Sequence, residues 1–235
     1  MLGIISGTIL LHGKGGVDEM KEKRIDTDYG EALVFLSSRA VMVPRHGIDP
    51  GNHILPHRIN HKATMTALKS LGVTEIIAVN STGSLKHHLP PGTLVVPDDF
   101  INLTGVPTII DRHPIHITPR LSPDIRQKWM EAARHCGIDV VDGGVYWQTT
   151  GPRFETRAEI RLMSRFADLV GMTMASEAII AGEMEIPYAS LCSVDNYGHG
   201  LVDKELTMDE IIRCSRKNTE KIITIVRTYM ERMGT

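Results

Sequence analysis

The 235-residue chain lacks any marked excess of charge: 26 basic and 28 acidic residues leave it at a formal net charge of −2. Both signs are interspersed, so no basic face points to nucleic acid or to a membrane surface. An anionic substrate has to be met by a local cationic site. Cysteines are few, three in all, and Cys136, Cys192 and Cys214 stand far apart without CxxC or Cys/His spacing. They read as reduced thiols of a reducing, cytoplasmic compartment, not as a disulfide frame or a zinc site. Eleven histidines are present, yet His87-His88 and His113/His116 lack the i, i+4 spacing and companion acid of a helical metal site. No apolar run reaches membrane-spanning length. The apolar start MLGIISGTILLHGKGG has no basic lead and is broken by Gly3, Gly7 and Gly13. It reads as a buried strand and turn, not a secretory leader. Repeats, low-complexity tracts and Pro/Gly/Ser linkers are also missing.

What is present is an ordinary globular mixture, 42% hydrophobic and 23% charged. A chain of this size buries roughly 70–75% of its unfolded surface without staples. Short apolar runs alternate with amphipathic stretches to the end, which predicts one α/β domain over residues 1–235. Strands are expected at Leu2–Ile5, Ala32–Leu36, Ala40–Val43, Glu75–Val79, Thr93–Val96, Gly144–Gln148, Leu169–Val170 and Tyr188–Val194. Continuous Ile/Val runs of this kind suit strands covered on both faces. Helices are expected at Arg58–Leu71, Pro123–Cys136, Glu155–Phe166, Ala175–Met184 and Met208–Met233, with Thr207 and Glu210 as a capping box for the last. Gly72 and Gly137 read as helix stops. The Pro- and His-rich stretch Phe100–Ser122 is too long for a plain connection.

Six small-residue or polar segments stand at ends of expected strands. Ser6-Gly7-Thr8 offers backbone N–H groups and hydroxyls to an anion. Arg45-His46 offers a planar fork and a ring nitrogen. Asn80-Ser81-Thr82-Gly83 permits close backbone approach at a strand end, where open α/β sheets collect ligands. Thr149–Glu159 places Phe154, one of only four Phe, beside the acid Glu155. Met172-Thr173 precedes Glu177, which on its own reads as a solvated helix residue. Ser193–Gly198 puts Asp195 and Asn196 after the largely apolar strand Tyr188–Val194. Each of these segments is compatible with simple turn chemistry, and only their sum points to a site.

In order, the stretches GIISGT, PRHG, PHRIN, NSTGSL, PPGTLVVPDDFI, TGPRFETRAE, VGMTMASE and YASLCSVDN resemble the trimeric purine nucleoside phosphorylase and methylthioadenosine phosphorylase family. The resemblance implies a central mixed, twisted, partly barrel-like sheet flanked by helices. It implies phosphate contacts at Thr8, Arg45, His46, Asn80, Ser81 and Thr173. Phe154 would pack on the purine, Met172 would hold the ribose, and Glu155 and Asn196 would contact the base, with Asn196, His46 and Glu155 closest to the chemistry. Inorganic phosphate would be co-substrate, with no metal and no other cofactor. His116 would complete a neighbour's site in a homotrimer or dimer of trimers.

Branch identity rests on few positions. The methylthioadenosine branch typically carries aspartates where this chain has Asn196 and Gly198, and commonly Ser at Glu155. A carboxylate accepts from N1–H of a 6-oxopurine, whereas adenine N1 offers only a lone pair, so unpaired polar groups would reject adenine. Met208 and Ile211 are apolar where the animal 6-oxopurine enzymes place a histidine for the 5′-hydroxyl, which favours a 5′-methylthio group. The expectation is 5′-methylthioinosine, with inosine and guanosine as weaker substrates; 5′-methylthioadenosine is the alternative. Ser6, a lengthened Ile48–Asn52 and His61 depart from the family pattern.

Overall fold

Side-chain alternation along the apolar strands sorts their residues onto two faces, and helices cover both. In the computed structural model, which describes residues 1–7, 20–105, 107–112, 114–203 and 207–232, the order is β1 (Leu2–Ser6), β2 (Lys21–Thr27), β3 (Gly30–Leu36), β4 (Ala40–Pro44), α1 (His61–Ser70), β5 (Glu75–Ser84), β6 (Leu94–Val96), β7 (Asp99–Asn102), α2 (Pro123–His135), β8 (Val141–Asp142), β9 (Val145–Gln148), α3 (Arg157–Met163), β10 (Leu169–Gly171), α4 (Met174–Glu183), β11 (Tyr188–Tyr197) and α5 (Met208–Arg232). On one face Ile5, Ile76 and Ala78 pack with Met65 and Leu68 of α1 and Met174 and Ala178 of α4. On the other, Ile4, Ile77 and Val79 pack with Trp129 of α2 and Ile222 and Tyr229 of α5. Period-two sorting onto two covered faces is why these strands carry unbroken apolar runs. The result is a single α/β domain with a mixed sheet.

β5 organises the sheet. Its first half pairs parallel with β1, Glu75 to Val79 against Leu2 to Ser6. Its end, Gly83-Ser84, pairs antiparallel with β10 on that same edge, and β11 follows its other edge throughout. Between Val79 and Gly83, therefore, one edge of β5 changes partner. The pairing also closes on itself. β6 and β7 run on through Pro97-Asp98, β8 and β9 through Gly143-Gly144, and β6 pairs β8 as β7 pairs β9. A ring β5–β11–β6/β7–β8/β9–β10–β5 results, which matches the expected barrel-like part.

Several expected boundaries move. β2 is unforeseen because KEKRIDT is a charged edge strand, mostly exposed and zipped to β3 over seven positions. β7 and β8 are short continuations that carry no periodic signal. α1 begins at His61, not Arg58, since Pro56–Arg58 forms a 3-10 turn and the Asn60 side chain caps Ala63 N–H. α3 runs Arg157–Met163, shorter than Glu155–Phe166, because Thr156 and Glu159 form a capping box there. Gly72 and Gly137 do follow helix ends, with φ of +77° and +64°. The capping partner Glu210 and the end of α5 at Met233 lie outside the described side chains and residues.

Candidate active site

The change of partner along β5 opens the sheet where the ends of four strands come together. A cavity of about 860 Å³ lies there, walled by the ends of β4, β5, β10 and β11, the 152–155 turn and the first turns of α5. Arg45, His46, Ser81, Thr173, Phe154, Glu155, Met172, Asn196 and Ile211 all line it. Six strand-end segments widely separated in sequence thus meet in one place, apart from Thr8, which lies outside the described residues.

At one end sits Arg45, whose side chain is 3% exposed. Its Nε and Nη2 donate to the two carboxylate oxygens of Glu177, the second at 3.0 Å, and Nη1 donates to Val79 O at 3.0 Å. Three of five guanidinium N–H groups are thus committed among the described residues, and two remain. Glu177 also accepts from Tyr188 Oη at 2.8 Å. Its own side chain is 1% exposed, so the solvated reading of this residue is corrected. An acid inside the apolar run MASEAIIAG was the available signal, since a buried carboxylate needs a cation. Burial lowers the Arg45 pKa, but the Glu177 charge and hydrogen bonds more than offset this and hold it above its usual value.

His46 Nδ1 lies 2.7 Å from Ile54 O, and its ring stacks on His53 with centroids 4.5 Å apart. A carbonyl can only accept, so Nδ1 carries hydrogen and Nε2 is left for the cavity. Burial, and secondarily the Arg45 charge, push His46 down to about 4, so it is neutral at pH 7. Thr173 precedes α4, and its Oγ1 accepts from Asn80 Nδ2 at 2.8 Å, which leaves the Thr173 proton for a ligand. Asn80 itself is buried behind this hydroxyl, accepts from Ser190 at 2.6 Å and does not line the cavity. Ser81 faces the cavity but donates to Asp195 at 2.5 Å.

The opposite end is built differently. Glu155, 7% exposed, accepts from Thr149 Oγ1 at 2.7 Å. The Asn196 amide donates one N–H to Tyr197 O at 2.8 Å and keeps its second. That amide packs on Gly83, where a Cβ would lie 3.1 Å from Asn196 Nδ2, so glycine makes room for it. A Cβ at Gly171 would lie 2.4 Å from Tyr146 Oη, the oxygen that accepts from Thr173 N–H. Phe154 is half-exposed, and Met172 packs against Gly151.

Ile211 lines the wall, together with Ile212, Ser215, Arg216 and Thr219 of the same helix face. Beyond Ile211 that face went unread in the sequence, although the 212/215/216/219 spacing is helical. The Met208 side chain lies outside the described ones. His116 is exposed on the 103–121 stretch and does not reach this cavity. All three cysteines are free thiols. Among the described residues no group of three His, Cys, Asp or Glu could hold a metal, and no helix is long and apolar enough to cross a membrane.

A family model described as the phosphorylase superfamily matches residues 13–231. The probable 6-oxopurine nucleoside phosphorylase of Archaeoglobus fulgidus is 38% identical, over 99% of this chain and 97% of its own. The probable S-methyl-5′-thioinosine phosphorylase of Methanocaldococcus jannaschii is also 38% identical, over 98% and 92%. Among solved structures, methylthioadenosine phosphorylase from Schistosoma mansoni in complex with adenine superposes with a TM-score of 0.87 at 26% identity, covering 99% of this chain and 91% of that one.

Proposed function

Because the chain belongs to the phosphorylase superfamily, we propose that it is a purine nucleoside phosphorylase acting on 6-oxopurines, with 5′-methylthioinosine preferred over inosine and guanosine. The observation that carries this reading is the union, in one cavity, of an oxyanion end (Arg45, His46, Ser81, Thr173) and a base end (Glu155, Asn196, Phe154).

The chemistry follows from the distribution of charge. Breaking the bond between C1′ and the purine nitrogen passes through an oxocarbenium-like state, as in glycoside hydrolysis. A phosphate held by the two free Arg45 N–H groups and the Thr173 hydroxyl, its own O–H donating to the neutral His46 Nε2, stabilises that cation and bonds to C1′ as the base leaves. Thr8 is assigned to the same anion. Asn80 serves by turning Thr173 toward it. The departing base gathers negative charge, which the second N–H of Asn196 meets at N7 while Glu155 accepts from N1–H, bonds that strengthen in the transition state. The reaction so written uses phosphate as co-substrate and no further cofactor.

Substrate choice rests on two features. Glu155 suits a purine that donates at N1. An acid at Gly198, as in the methylthioadenosine branch, would require Ile160 to move, since a Cβ there would lie 2.8 Å from Ile160 Cδ1 and 3.2 Å from Ser84 O. Leu55, Pro56, Ile211 and Ile212 supply an apolar wall for a 5′-methylthio group. The Schistosoma neighbour, named for methylthioadenosine, favours the alternative reading, cleavage of 5′-methylthioadenosine. A homotrimer working in cytoplasmic purine salvage completes the proposal, with His116 of the long exposed stretch entering a neighbour's cavity.

Purine release is to be measured with and without phosphate on 5′-methylthioinosine, inosine, guanosine and 5′-methylthioadenosine. The expected result is strict phosphate dependence and the highest kcat/KM for 5′-methylthioinosine. Release by water alone overturns phosphorolysis; a clear preference for 5′-methylthioadenosine overturns the 6-oxopurine assignment.

A further inference from the structure

Asp195 is a carboxylate almost wholly cut off from water, 1% exposed, directly behind the cavity wall. Among the described residues only hydroxyls donate to it: Ser81 of β5 on Oδ2 at 2.5 Å, Ser193 of β11 on Oδ1 at 2.5 Å, and Ser215 of α5. Ser193 is fixed in turn by Asn218 Nδ2 at 2.9 Å. Among the described residues no Lys, Arg or His forms an ion pair with it. A titratable near neighbour is the Cys192 thiol, pushed up to about 12 by burial. The charged groups of the cavity wall are Arg45, Glu155, Arg216 and Glu220, with Glu177 behind Arg45.

This geometry conflicts with an oxyanion next to Ser81. A hydroxyl has one proton, and Ser81 gives its proton to Asp195, so it turns lone pairs to the cavity. Arg45 offers little net charge, being matched by Glu177. A dianion would then face a second anion across a single oxygen, and like charges in a dry site drive one of them to take a proton.

We propose that Asp195 is a positioning residue that takes up a proton when the anion binds. Asp195 Oδ2–H then donates to Ser81 Oγ, and the Ser81 O–H swings to an anion oxygen. One proton enters from solvent, Oδ1 keeps accepting from Ser193, and no covalent bond to carbon changes. The inference rests on the anion-binding reading of this cavity and extends it to a residue outside the contact shell. Burial already raises Asp195 to about 6 in the empty site, so a proton is within reach near neutrality.

Sulfate is the probe, because unlike phosphate it does not itself titrate near neutral pH. Its Kd is measured by calorimetry at a series of pH values between about 6 and 8, with proton uptake taken from buffers of different ionisation enthalpy. Wild type should lose affinity by up to about tenfold per pH unit from this group alone, and a protonated-carboxyl infrared band should appear on binding. Asp195→Asn, whose amide permanently mimics the acid, should bind with a shallower slope by about one proton and without the band. Should that variant fail to fold, Asp195→Ser also removes the titrating carboxylate, and its slope should flatten equally. His46 contributes its own linkage to all three proteins and so cancels in the difference. An unchanged slope in the variants overturns the role of Asp195 while leaving the anion site standing. Failure of wild type to bind either sulfate or phosphate overturns the anion site, and this proposal with it.

Discussion

Glu177 and Glu155 are both buried carboxylates at the same cavity, yet the structure holds them in opposite ways. Glu177 has three partners, two N–H groups of Arg45 and the Tyr188 hydroxyl. Glu155 has one among the described residues, the Thr149 hydroxyl. A carboxylate has about four lone-pair positions, so Glu177 is nearly saturated and Glu155 is not. The first belongs to the frame that aims Arg45; the second keeps capacity for a ligand. Carboxylate burial alone would have grouped them, and only partner counting separates them.

Removing the saturated acid tests this most severely. Glu177→Ala leaves the Arg45 guanidinium buried and unpaired, and such broken buried pairs cost roughly 3–5 kcal/mol. Urea denaturation should register a loss of that size, together with loss of phosphate-dependent turnover as Arg45 reorients. A loss below about 1 kcal/mol, as surface pairs give, would show that Arg45 does not depend on Glu177. The unsaturated acid should behave in reverse. Glu155→Ser should leave stability nearly unchanged but remove about 1.5–3 kcal/mol of binding to 6-oxopurines, a factor on the order of ten to one hundred in kcat/KM. Turnover of 5′-methylthioadenosine should not fall with it, and an equal fall on both substrates would remove Glu155 from base selection.

The same contrast explains how much could be read without coordinates. Apolar strands and helix stops such as Gly72 were legible because periodicity and φ > 0 chemistry are local properties. So were Arg45, His46, Thr173, Glu155 and Asn196 as cavity residues, because each follows an expected strand. The Arg45–Glu177 pair spans 132 positions, and nothing local announces such a partner beyond an acid in an apolar helix. Asp195 was hidden for the same reason: its hydroxyl partners come from three elements. The charged β2 gave no apolar period, since an exposed edge strand is built to avoid one. Asn80 was placed one shell too close to the anion because residue type alone does not say whether an amide faces a cavity or braces its wall.

Titration gives the mildest separation of the two ends. His46 sits at about 4 in the folded protein, against 6.5 for a free imidazole. Between those values the unfolded chain binds a proton that the folded chain refuses, so stability rises with pH across the window and is lost as pH falls through it. His61, pushed down to about 4 by burial, acts in the same direction. Asp195, raised from 3.8 to about 6, acts oppositely: the folded chain holds its proton longer, and stability falls as pH rises from about 4 to 6. The net acid slope is therefore a difference, and deleting one member exposes it. His46→Asn, which preserves a donor to Ile54 O, should reduce the dependence of unfolding free energy on pH by up to about one proton between about pH 4 and 6.5. Equal slopes in wild type and His46→Asn would place the His46 ring in water, and with it would go the neutral Nε2 on which the oxyanion end depends.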